Sequence, residues 1–179
     1  MQDDYNSKDN KYKDALKVHK KIEDQFNIDN GSTIDEFNAI YAMLMNQSSL
    51  SLDSVEINEN YMPIINSGYY KEKSSSVPIR LIYYFTLFYL GLSKQQVKHP
   101  RFMLIDTPEE AGIDTPNLKK NLELLTIAIE NIYKEHDDIG EYQVLITSGE
   151  DKYPDSWAEF VKLRFSKRDE EYILKSRNL

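Results

Sequence analysis

Asp106 is the residue of this sequence that most invites a chemical reading. It ends the apolar run Phe102, Met103, Leu104, Ile105, and Thr107, Pro108, Glu109 and Glu110 follow at once. A continuous apolar run of this length, bounded by turn residues, predicts a strand buried on both faces. In α/β sheets, ligands bind just beyond the carboxyl ends of such strands. A carboxylate there suits Mg2+, a hard cation that takes oxygen ligands. Glu109 and Glu110 are the next carboxylates along the same short loop, within reach of a metal-bound site as a general base. A plainer assignment gives Asp106 only the capping of the Thr107-Pro108 turn.

Other chemistries find less support. His19, His99 and His136 stand alone, without a second histidine at metal-ligand spacing. His99-Pro100 reads as shaping the approach to the strand. There is no G-x-S-x-G and no cysteine, which excludes a hydrolase elbow, a thiolate site and a disulfide framework. A strand-end aspartate could also be the phosphoacceptor of a receiver-like domain. That fold needs further βα units with acidic partners near the N-terminus, and the first fifty residues read as helix. The net charge of -8 argues against wholesale binding to nucleic acid or acidic membranes. The most apolar stretch, residues 79–92, contains Arg80 and is too short for the ~20 residues of a membrane span. The N-terminal MQDDYNSKDN is no secretory signal, so the expected setting is cytoplasmic.

The elements that would position Asp106 follow from the pattern. With 179 residues, 40% hydrophobic and 29% charged, the chain can form a core of its own. Residues 1–50 read as a helical segment and residues 51–179 as an α/β lobe. The first ten residues look frayed, and residues 11–26 form an amphipathic helix that would suit the end of a coiled coil. Asn30-Gly31 is expected to break the chain, with Ser32 or Thr33 capping a second helix. Short extended segments at 55–57 and 61–65 suggest a hairpin. A serine-rich loop, 71–76, leads into a helix over 78–90 that is apolar nearly all round, with Gly91 as its end. After the strand, Thr115-Pro116 starts another helix. Residues 142–146 form a second buried strand ending on Thr147-Ser148, expected as the parallel neighbour of the first. A short helix near 156–160 and a strand at 161–165 complete the order.

That order, a serine loop, a buried helix, a strand ending in Asp, a helix, and a strand ending in Thr-Ser, resembles the C-terminal lobe of an ABC-type ATPase head of the SMC and DNA-repair kind. The resemblance covers residues 52–165. It implies half of a P-loop NTPase sheet flanked by helices. Ser74, Ser75 and Ser76 would stand in the signature loop and offer hydroxyls and backbone N–H groups to the γ-phosphate of ATP on an opposing head. Residues 102–106 would be Walker B, with Asp106 holding Mg2+ through water. Residues 111–114 would be the D-loop, with Asp114 at the seam of a head-to-head dimer. Thr147-Ser148 would be the switch. Ser74 to Ser76 read equally as a helix cap, and Asp114 as turn chemistry before a helix.

The sequence departs from the family pattern at informative places. Thr107 stands where the family has the glutamate that polarises water, so hydrolysis would depend on Glu109 or Glu110 folding back. Ser148 replaces the switch histidine, and Ser75 and Ser76 replace the signature glycines. No G-x-x-x-x-G-K-[ST] is present, so the chain alone should not bind ATP tightly. An N-terminal Walker A lobe, separate or upstream, is the expected partner, and ATPase activity is expected only in combination with it. The resemblance implies DNA repair, chromosome maintenance or anti-phage defence, with DNA reached through the full assembly. Lys162, Arg164, Lys167 and Arg168, the one notable basic cluster, read as a solvated face. The alternative is a non-catalytic adaptor that binds a partner through the tyrosine-rich helix 78–90.

Overall fold

The computed structural model describes residues 2–58, 60–68, 76–94 and 97–165. Within them the chain is a mixed α/β arrangement with two small sheets. Helix α1 spans Gln2–Met45 as one continuous element. The expected frayed start, the break at Asn30-Gly31 and the caps at Ser32 or Thr33 are therefore replaced by uninterrupted helix. The reason lies in phase: the apolar positions 22, 26, 34, 37 and 41 keep one helical stripe across the glycine. A mid-helix glycine costs only about 1 kcal/mol relative to alanine. Among the described side chains of α1, those of residues 11–25 are all exposed and Ile34 is the first that is partly buried. Phe37, Tyr41, Leu44 and Met45 then enter the core.

Strands β1 (Val55–Ile57) and β2 (Pro63–Ile65) pair antiparallel, as the hairpin reading expects. Asn38 on α1 accepts from the Ile57 amide at 2.7 Å, which ties this hairpin to the long helix. Glu59 in the turn lies outside the described residues, as do residues 71–75.

Helix α2 runs Ser76–Ser93, sandwiched between α1 and helix α3 (Thr115–Glu135). Its Ile82, Phe85 and Phe88 are buried, which accounts for an apolar pattern on nearly every side. Gly91 does not end α2; it lies buried inside it. A Cβ there would overlap the His99 side chain, so the glycine marks a point of close approach. Across the α1–α3 junction, the fully buried Asn121 accepts from the Ser49 amide at 3.0 Å. It also donates to Ser49 Oγ at 2.8 Å and to Asn117 O at 2.7 Å. A buried amide so satisfied fixes one packing register.

Strand β3 is Phe102–Asp106 and strand β4 is Gln143–Thr147. They pair in parallel, with Phe102 opposite Gln143 and Asp106 opposite Thr147. Helix α3 forms the crossover, the connection that parallel pairing requires. The expectation of burial on both faces is corrected. Met103 is buried, but Phe102, Leu104 and Leu145 are 43%, 57% and 50% exposed. One face packs on the helices and the other is open. Residues 155–160 form a 3-10 turn rather than an α-helix, and residues 161–165 form no strand.

Candidate functional site

The approach to β3 is set by two side chains. His99 Nδ1 accepts from the Arg101 amide at 3.1 Å, with the ring edge-on to Phe88. Partial burial holds its imidazole below the ordinary histidine range. Arg101 donates to Ile139 O at 2.8 Å across the turn that leads to β4. Gly140 there has a positive φ, and a Cβ would run into the Arg101 guanidinium.

At the carboxyl ends the two strands meet side chain to side chain. Thr147 Oγ1 donates to Asp106 Oδ1. The Thr107 amide donates to Thr147 O at 3.0 Å and to Thr147 Oγ1 at 3.3 Å. Thr107 itself is left-handed, φ 40°, ψ 57°. That conformation costs a β-branched residue about 1–2 kcal/mol, which the two bonds from its own amide help offset. It reverses the chain into a 3-10 turn, Pro108–Ala111. The reversal carries Glu109 back over the end of β4. Glu109 Oε1 accepts from the Gly149 amide at 2.5 Å, and Oε2 accepts from Ser148 Oγ at 3.3 Å. The turn delivers Glu109 to Ser148 and Gly149 at the end of β4 and not to the side of Asp106. Glu110 remains exposed.

Gly112, with φ 87°, turns the chain toward α3. The N-cap of α3 is Asp114 rather than Thr115. Asp114 accepts from the Asn117 amide at 3.0 Å and from its side chain at 2.6 Å. These two bonds hold its carboxyl below the usual range. Asp114 thus has a local role in starting the helix. Lys152, in the loop after β4, donates to Thr115 Oγ1 and closes the cluster from the far side.

Between α2 and β3 runs a cleft of about 520 Å3. Arg80, Tyr84, Asp106, Thr107 and Glu110 are among the residues that line it. Arg80 and Lys152 are the polar residues that motif matching passes over. The signal for Arg80 was visible as the one charge inside an otherwise apolar helix. Ser76 opens α2, and its carbonyl accepts from Arg80 Nε at 3.3 Å. Ser74 and Ser75 lie outside the described residues. Among the described residues no three or more His, Asp or Glu side chains gather as a metal cluster, so Asp106 could supply one ligand to a cation and not a full shell.

Of the tyrosines on α2, Tyr83 donates to Tyr61 O at 3.1 Å and Tyr89 to Glu135 at 3.3 Å. Tyr84 is the one left exposed. Lys162 and Arg164 are exposed, Arg164 beside Glu150 at 3.4 Å, while Lys167 and Arg168 lie outside the described residues. No described helix is long and apolar enough to cross a membrane. No family model, curated protein or solved structure matches the chain.

Proposed function

We propose that this chain is the C-terminal lobe of an ABC-type ATPase head of the SMC and DNA-repair kind. It would supply the Walker B aspartate, the D-loop and the serine signature loop to a head completed by a Walker A lobe. The observation that carries this reading is the parallel β3–α3–β4 unit, whose strand ends bring Asp106 against Thr147, with Ser148 next to it. Ligand sites of α/β sheets form at such ends. The open face of this sheet, and its edges, which no other described strand pairs, also agree with a sheet to be completed by another lobe.

In this reading Asp106 faces Mg2+ and Thr147 orients its carboxylate. A single protein carboxylate fits the cation, because Mg2+ keeps several waters and takes phosphate oxygens as its other ligands. The bound ion would offset charge on the phosphates. Ser76, at the start of an 18-residue helix, would meet nucleotide held by an opposing head. Two heads would close around nucleotide, and the assembled pair would act on DNA in repair, chromosome maintenance or anti-phage defence.

The test is calorimetric titration of Mg2+-ATP into the chain alone, a candidate Walker A lobe alone, and the two together. Binding that needs both is the expected result. An assembled pair that takes up no nucleotide would overturn the reading.

A further inference from the structure

The two glutamates after Thr107 are adjacent in sequence and opposite in surroundings. Both oxygens of Glu109 accept hydrogen bonds from the loop after β4, one from the Gly149 amide and one from Ser148 Oγ. Glu110 lines the cleft together with Asp106 and Thr107, and Glu109 does not. A general base must reach the proton it removes. Glu109 is directed instead at the end of β4.

Resting on the nucleotide reading above, we propose that Glu109 is a positioning residue. It holds Ser148 and Gly149 against the loop that carries Asp106, and it leaves Glu110 as the carboxylate that faces the cleft. Three connections cross between the loops in succession: Thr147 Oγ1 to Asp106, the Thr107 amide to Thr147, and Glu109 to Ser148 and Gly149. The β3–β4 ladder ends at the Asp106–Thr147 pair. Past that point Glu109 replaces the ladder and keeps the two loops together. The glycine at 149 suits this role, since a Cβ there would crowd Glu109 Oε1 at 3.1 Å and the Lys152 side chain at 3.2 Å. The loop that would sense nucleotide through Ser148 is thereby fixed to the loop that would hold the metal.

Glutamine separates positioning from base chemistry. At position 109 it keeps an oxygen for the Gly149 amide and an amide group for Ser148, but it cannot take a proton. Alanine removes both contacts. Two measurements are made on each variant: amide hydrogen exchange at Gly149 in the full chain, and ATP turnover by the head assembled with a Walker A lobe. Glu109→Ala should speed Gly149 exchange by about 10–100-fold, the range for a lost hydrogen bond to a charged group. Glu109→Gln should leave it within about 3-fold of the parent. Turnover should follow the same order, with Gln close to the parent and Ala reduced at least ~10-fold. Glu110→Gln should leave Gly149 exchange unchanged and lower turnover by about 10²–10⁴-fold, as removal of a base does. If Glu109→Gln loses turnover as fully as Ala while Gly149 stays protected, Glu109 is the base and the proposal fails. Unchanged Gly149 exchange in Glu109→Ala would overturn it as well. The exchange measurement needs no nucleotide, so it decides the role of Glu109 even if the assembled head binds no ATP and the functional reading falls.

Discussion

Asp106 carries the sharpest prediction at the scale of the single residue. In a complete head, Asp106→Ala should abolish Mg2+-dependent turnover, because its place at the end of β3 has no second carboxylate in the strand. Thr107→Ala should matter less, since a hydroxyl is a poor base at neutral pH and the contacts of Thr107 run through its backbone amide. Comparable losses in the two variants would separate the aspartate from metal binding. That β3 and β4 lie side by side in parallel was legible in the sequence, as two apolar runs joined by a helix, whereas the register that sets Asp106 against Thr147 was not. The partners of Glu109 were not legible. They depend on a left-handed threonine, a conformation that no residue pattern announces. His99 yields a prediction on pH. Burial lowers its proton affinity in the folded chain, so the unfolded chain takes up the proton first. Its contribution to stability is intact above the ordinary histidine value of 6.5 and declines as pH falls below it. Urea midpoints measured from pH 7.5 down to 5 should fall more steeply for the parent than for His99→Asn. Equal slopes would deny His99 this role.

At the scale of the element, two glycines that look alike in sequence should respond oppositely to the same substitution. Gly31 lies in α1 with open space where a Cβ would go. Gly31→Ala should stabilise the helix by about 0.5–1 kcal/mol. Gly91 lies in α2 against His99, where a Cβ has no room. Gly91→Ala should therefore destabilise by about 1–3 kcal/mol, the cost of overpacking outweighing the gain in helix propensity. Thermal melts of both variants check the pair, and a shift of the same sign in each would contradict the packing described for Gly91. The existence of α2, α3, β3 and β4 was readable from periodicity and run length. Their ends were harder to read. In sequence, glycine reads as a stop at both 31 and 91, whereas the stripe of α1 continues in phase and the contact between α2 and His99 is tertiary. Asp114 likewise takes the cap position one residue before the threonine that the Thr-Pro pair suggests.

At the scale of the molecule, the open face of the β3–β4 sheet sets the expectation. A run such as Phe102, Met103, Leu104, Ile105 tells that a strand is apolar on both faces, and it cannot tell which face this chain covers by itself. Among the described residues, Phe102, Leu104 and Leu145 stand exposed on a two-stranded sheet whose edges no further strand pairs, a surface that favours association. The chain alone should self-associate in light scattering at rising concentration, and Leu104→Lys should return it to monomer. A parent that stays monomeric throughout would favour an adaptor that is complete without a second lobe. The long first helix bears on how that experiment is read. At 1.5 Å per residue, α1 is ~66 Å from end to end, and its described side chains at residues 11–25 are all exposed. A compact chain of this length would have a radius of gyration of only about 16 Å. A single copy must therefore drag through solvent like a rod with a knob at one end. It will leave a gel-filtration column early, at the volume of a much heavier sphere, so elution volume alone would count one molecule as two.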